Sequence, residues 1–351
     1  MCVKLLFSTA ALLWCAVAAD NSPRAVNYTL ADDCPRGGCQ VPAFDKGYLF
    51  QHKPTANYPA DGLSVFDPSG RLMYQVDITA PDGSAGHLLV TSADAANADG
   101  KVLLPISYGG WGGNGHVKGG GVVVLSPEGK QVRFVATGRF LPQAACFGPD
   151  DSIWVMGTQY APLREGDSMD HVERGYYNLV RKFSSDGKPL GSFLPRSLFP
   201  KGLSPAASLG WMRASKNRIG MMTRPGQSSN NPEWVELDLD GNLVGRWKVG
   251  AATEADPDTH RIVYQLLGFA FTSDGQLYAQ RKACATAAKC TNQAVMLDRE
   301  TSSWKPVEGT QTDQVRFLMG ADGNDLVFYD RSPDNAGGGV HLSWLRPAQP
   351  R

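Results

Sequence analysis

Leu63-Ser64-Val65-Phe66-Asp67-Pro68-Ser69-Gly70-Arg71-Leu72-Met73-Tyr74 reads as two β runs joined by a tight polar turn. Pro presets the backbone for a turn, Asp and Ser bond back onto nearby N–H groups, and Gly supplies a left-handed residue at no steric cost. The same half-unit recurs about Ser126-Pro127-Glu128-Gly129, about Ser184-Ser185-Asp186-Gly187 and about Asp238-Leu239-Asp240-Gly241. Its four glycines, Gly70, Gly129, Gly187 and Gly241, stand 59, 58 and 54 residues apart. A glycine-free copy passes through Asp298-Arg299-Glu300-Thr301, and Val340-His341-Leu342-Ser343-Trp344-Leu345 forms half of a sixth.

A second kind of hairpin lies between these copies. It turns at Asp99-Gly100, Asp150-Asp151, Lys216-Asn217, Asp274-Gly275 and Asp322-Gly323, each flanked by apolar β runs. Two alternating antiparallel hairpins per period make a four-stranded sheet, and radial repetition of such sheets makes a propeller. The expectation is an all-β, six-bladed β-propeller, with seven blades as the alternative. The period is too long for the usual sandwich or solenoid repeat. The last copy lacks its outermost strand, while Ala25-Val26-Asn27-Tyr28-Thr29-Leu30 is a spare β run. Pairing the two would close the ring and remove an exposed edge.

Residues 1–19 read as a signal peptide. Lys4 gives a positive start, residues 5–13 are apolar but for Ser8 and Thr9, and Ala16-Val17-Ala18 suits a peptidase. The expectation is a secreted or periplasmic protein with a single propeller domain over 20–351 and no integral membrane segment after cleavage. Cys15 does not make a lipobox, because Trp14 stands where a very small residue is needed. Lys plus Arg and Asp plus Glu both number 34, so no global basic field exists to hold nucleic acid. Turn formers are abundant, with 39 Gly and 23 Pro, and charged residues make up only 19%, an all-β balance. Asn27-Tyr28-Thr29 is a formal glycosylation sequon.

Without the leader, five cysteines remain. Cys34 with Cys39, and Cys284 with Cys290, would close short loops in an oxidising compartment, whereas Cys146 sits in an apolar Ala-Ala-Cys-Phe string and is expected buried and free. Neither pair has zinc-site spacing or a neighbouring histidine.

The Asp-x-x-Gly and Asp-Gly turns resemble those of six-bladed propellers of the NHL-repeat and gluconolactonase-like superfamily. The resemblance spans nearly the whole mature chain as a diffuse pattern, and it implies architecture rather than chemistry. The gluconolactonase-like enzymes hold a divalent metal on a glutamate near the start of the first inner strand. The early runs 41–44 and 48–51 contain no glutamate, with Asp45 the nearest acid. Asp67 and Asp238 read as turn formers, since a four-residue turn supplies too few oxygens for a Ca²⁺ cage.

The two short turns of each blade fall on one face, and the strand two-to-three loops and blade connections fall on the other. Those loops are 108–121, 159–178, 224–233, 281–293 and 330–339. Long loops on a rigid scaffold are where binding residues concentrate. The first has eight glycines in fourteen residues with Trp111, His116 and Lys118, which reads as a flexible clamp or a plain surface loop. It does not match a phosphate loop, because no Ser or Thr follows Lys118. The second concentrates Arg164, Glu165, Asp167, Asp170, His171, Glu173 and Arg174, of which Asp170, His171 and Glu173 are types that bind metals or move protons. Its bland reading is a solvated ion-pair loop. Arg224, Arg281, Lys282 and Arg331 would make a cationic collar for an anionic ligand, or a structural network with Asp330 and Asp334.

No Gly-x-Ser-x-Gly elbow is present, and the one unpaired cysteine is expected buried, so nucleophilic catalysis has no support. The expected function is an exported binding or recognition propeller that takes a small molecule, glycan or protein on its long-loop face, with no cofactor. The alternative is a lactonase- or lyase-type enzyme with calcium or zinc at the channel mouth, and metal analysis of the purified protein separates the two.

Overall fold

The computed structural model describes residues 25–29, 43–53, 62–78, 88–90, 95–109, 116–162, 164–165, 167, 171–173, 176–199, 211–223, 233–248, 253–255, 262–286, 289–313, 316–330 and 339–347. Within them six antiparallel sheets follow one another along the chain, the blades of a β-propeller. The first contains Ala43–Asp45, Tyr48–Lys53, Gly62–Phe66 and Leu72–Asp77. The third contains Phe140–Phe147, Ile153–Gln159, Asn178–Phe183 and Pro189–Pro195, and the fourth Met212–Ala214, Arg218–Thr223, Glu233–Asp238 and Leu243–Lys248. The only helix described is a single 3-10 turn, Arg196–Leu198. No helix among the described residues is long and apolar enough to cross a membrane.

Two sheets exceed the expected four strands. In the second blade the inner strand is split into Leu88–Val90 and Ala95–Ala96, both paired with Val102–Gly109, and Val117–Leu125 and Gln131–Gly138 follow outward. The fifth blade contains Ile262–Phe271, Leu277–Thr286, Lys289–Asp298 and Ser303–Pro306, with Thr253–Ala255 added inside. The sixth comprises Arg316–Asp322, Asp325–Asp330 and Gly339–Leu345, and its outermost strand is Ala25–Thr29, near the other end of the chain. Val26 stands opposite Leu342 in this pair and packs with Phe44, Leu49 and Trp344. The spare β run therefore closes the ring as expected.

Interior strands are apolar on both sides because each blade is covered by two neighbours. Along Val117–Leu125, Val123 and Leu125 pack toward the first blade while Val122 and Val124 pack toward the third. One such cluster fills each of the six blade interfaces. The period of two in side-chain direction thus gives each strand a residue for both interfaces.

The outer half-units are clasped from blade to blade. Gly241 has φ +89°, and a Cβ there would lie 2.0 Å from Cδ1 of Phe193 in the preceding blade. Tyr74 covers Gly129 in the same way. These turns need glycine twice over, for the left-handed backbone and for the ring above it. Where the repeat lacks glycine, Asp151 (φ 59°) and Ser302 (φ 53°) take the left-handed position. In the fifth blade the clasp is polar instead, as Trp247 Nε1 donates to the Arg299 carbonyl at 2.9 Å.

Candidate functional site

At the short-turn end several polar groups are bonded from one turn to the next. Asn97 Nδ2 donates to Asp151 Oδ1 at 3.1 Å, Ser273 Oγ donates to Asn324 Oδ1 at 2.6 Å, and the Lys216 amide donates to the Ser273 carbonyl at 3.0 Å. Asp45 ends the inner strand of the first blade, and Arg213 belongs to that of the fourth. Arg213 Nε lies 3.3 Å from Asp45 Oδ1, Arg213 Nη2 donates to the Phe44 carbonyl at 3.2 Å, and the Ala96 amide donates to Asp45 Oδ2 at 3.0 Å. The first and fourth blades are three places apart in the ring, so the pair spans the axis. Both residues are less than a tenth exposed, at 6% for Asp45 and 7% for Arg213. Cys146, on the third blade's inner strand, is free and buried as expected, and burial pushes its thiol up to about 12.

At the long-loop end, the third blade carries further pairing beyond its strands. Tyr160 and Val172 form an isolated antiparallel bridge, in which the Ala161 amide donates to the His171 carbonyl and the Glu173 amide to the Gln159 carbonyl, both at 2.8 Å. Direct pairing alternates side chains between faces. Gln159, Ala161, His171 and Glu173 therefore share one face, and Tyr160 and Val172 the other. Arg139, in the connection from the second blade, holds this strand pair down, with Nε donating to the Ala161 carbonyl at 2.9 Å and Nη1 to the Val117 carbonyl at 2.7 Å. Beneath it Arg181 lies 4.2 Å over the Phe140 ring and donates to Gln159 Oε1 at 2.9 Å, and burial draws its guanidinium below the ordinary value. Beyond the bridge a turn is closed by the Arg164 amide donating to Asp167 Oδ2 at 2.7 Å and the Asp167 amide donating to the Arg164 carbonyl at 3.1 Å.

This pinned loop lines a cavity of about 630 Å³, bounded by Ala161, Pro162, Arg164, Asp167, His171, Val172 and Glu173. That size is within the range of small-molecule sites. Arg164, His171 and Glu173, singled out from sequence, are brought together there. Glu165 is exposed and does not line the cavity. Asp170 lies outside the described residues, and among those described no group of three or more His, Cys, Asp or Glu side chains is arranged to hold a metal ion.

The other candidates are dispersed. His116 is half-buried at the foot of Val117–Leu125. Trp111, Arg224 and Arg331 lie outside the described residues, as do Cys34 and Cys39. Gly119, Gly120 and Gly121, read as part of a loop, are strand residues instead. Their hydrogens make room for neighbours: a Cβ on Gly120 would stand 2.6 Å from Pro142 Cδ, and one on Gly121 2.3 Å from Phe134 Cζ. Arg281 is likewise in a strand, opposite Leu266 and Gln293. The expected loop 281–293 is a hairpin extension in which Cys284 stands opposite Cys290 and is joined to it by a disulfide. The cationic collar is thus represented by Arg281 and Lys282 alone among the described residues.

Arg139 and the Asp45–Arg213 pair carry no sequence signal, because each acts on partners brought near by ring closure. The same is true of Glu236, fully buried in the fourth blade, which accepts from Trp234 Nε1 at 2.7 Å and Arg218 Nη1 at 3.0 Å. It also accepts from Arg299 of the next blade, Nε at 3.0 Å.

No protein-family model matches the chain, and no curated protein matches it. Similar solved structures include one from a study of two prolyl endopeptidases and the role of inter-domain dynamics in their catalysis and specificity. It has a TM-score of 0.46 and 13% identity, over 89% of this chain and 50% of that one. A protein of unknown function from Dyadobacter fermentans DSM 18053 has a TM-score of 0.46 and 11% identity, over 92% of this chain and 98% of that one. The chain spans half the length of the first and nearly all of the second. Likeness at this level says nothing about activity.

Proposed function

We propose that this propeller is an exported binding protein that takes a polar small ligand on its long-loop face, at the third-blade cavity. The observation that carries the reading is the cavity of about 630 Å³ whose wall includes Arg164, Asp167, His171 and Glu173. A pinned β-bridge presents two of these side chains on one face, so little ordering remains to be done when a ligand arrives. At the opposite end a buried ion pair spans the axis, and several of the turns are bonded to one another. Export rests on Lys4, the apolar run 5–13 and Ala16-Val17-Ala18. The size of the protein recovered outside the cytoplasm tests it, since an uncleaved chain confined to the cytoplasm would refute export.

Binding is tested with the His171→Ala, Glu173→Ala double variant against a panel of amino acids, peptides and oligosaccharides. Stability is expected to change by within about 0.5 kcal/mol, because His171 is exposed, Glu173 is half-buried and neither side chain is bonded to another described residue, while binding is lost. Undiminished binding by the variant would overturn the assignment of the working face.

A further inference from the structure

The cavity wall carries both signs of charge, yet these side chains do not satisfy one another. Among the described residues Arg164, His171 and Glu173 make no side-chain hydrogen bond or ion pair, and Asp167 spends Oδ2 on the Arg164 amide. The Arg164 guanidinium and the Glu173 carboxylate thus share the cavity without forming an ion pair with each other. Among the described residues the rest of the lining is Ala161, Pro162 and Val172. A ligand of one sign would meet an opposing charge of its own kind, whereas one carrying both signs at a fixed separation meets complements at both ends.

We propose that the ligand is a small zwitterion, a di- or tripeptide with free termini; this rests on the third-blade cavity being the working site. Arg164 takes the terminal carboxylate, since its planar fork matches a carboxylate in two parallel bonds. Glu173 takes the terminal ammonium, because Asp167 is already engaged by its own turn. His171, beside Glu173 on the same face of the bridge, donates to a peptide carbonyl between them. Each added residue lengthens such a ligand by up to about 3.5 Å, so the charge separation selects peptide length.

Calorimetric titration with trialanine, N-acetyl-trialanine, trialanine amide and maltotriose tests the proposal. Trialanine is expected to bind, and blocking either terminus to weaken binding roughly tenfold, as expected for loss of a charge-assisted bond. Glu173→Gln should weaken trialanine by a similar factor and abolish the further effect of acetylation, and Arg164→Gln should do the same for amidation. The zwitterion assignment is overturned if no probe binds. It is also overturned if blocked peptides or maltotriose bind as well as trialanine; in that case a loss in Glu173→Gln leaves the cavity as the working site. Binding of any probe that neither variant diminishes overturns the cavity as well.

Discussion

Gly241 shows how a single residue is fixed by two independent constraints, a backbone at φ +89° and the Phe193 ring 2.0 Å from where a Cβ would stand. Gly241→Ala is expected to destabilise the fold by at least about 2 kcal/mol, combining backbone strain with overpacking, as measured by denaturant unfolding. Arg213 is constrained by charge. Arg213→Ala would leave Asp45 buried without its cation and is expected to cost about 3–5 kcal/mol, while replacing both by apolar residues should cost much less. Cys146, pushed up to about 12 by burial, is expected to resist alkylation at neutral pH until the protein is unfolded. The turn carboxylates give a pH dependence. Asp186 is lowered to about 2 by its bond from Lys188, and Asp298 to about 2 by its bond from Lys305. Between their unfolded values and about 2 the unfolded chain binds more protons, so this stabilisation is complete above the unfolded carboxylate range. It is lost as pH falls through the folded values. The thermal midpoint should fall as pH drops from about 4 to 2, and the Asp186→Asn, Asp298→Asn variant should show a shallower fall.

Among the elements, the fifth blade departs most from the repeat. Leu277–Thr286 and Lys289–Asp298 are longer than any strand described in the other blades, and Thr253–Ala255 adds a strand beside Ile262–Phe271. The sequence of this hairpin, rich in alanine and lysine, reads as loop because strand propensity is weak in it, but pairing with neighbours decides strand formation. The disulfide joins residues already opposite each other in the ladder. The Cys284→Ser, Cys290→Ser variant is therefore expected to raise amide exchange in 281–293 while leaving exchange in the first three blades unchanged. The third-blade loop was legible in part. Its charged residues marked it, but the Tyr160–Val172 bridge that sets which of them face together was not, since a single bridge leaves no periodic trace.

For the whole molecule, closure depends on Ala25–Thr29, the outer strand of the last blade. Removing residues 1–29 would bare the edge of Gly339–Leu345 and strip Val26 from the cluster of Phe44, Leu49 and Trp344. The truncated chain is expected to unfold at lower temperature and to self-associate in light scattering, as an unprotected edge strand invites. The alternation of hairpins and the closing strand were determined by sequence alone, and the blade count to six or seven, which the six sheets settle as six. Turn chemistry and two-residue burial alternation are local properties, and each blade repeats them. What only the tertiary structure decided is which distant side chains meet: Asp45 with Arg213 across the axis, Arg299 with Glu236 between blades, and Arg139 beneath the third-blade loop. Those contacts depend on where the ring brings separate strands together, and no local period encodes that.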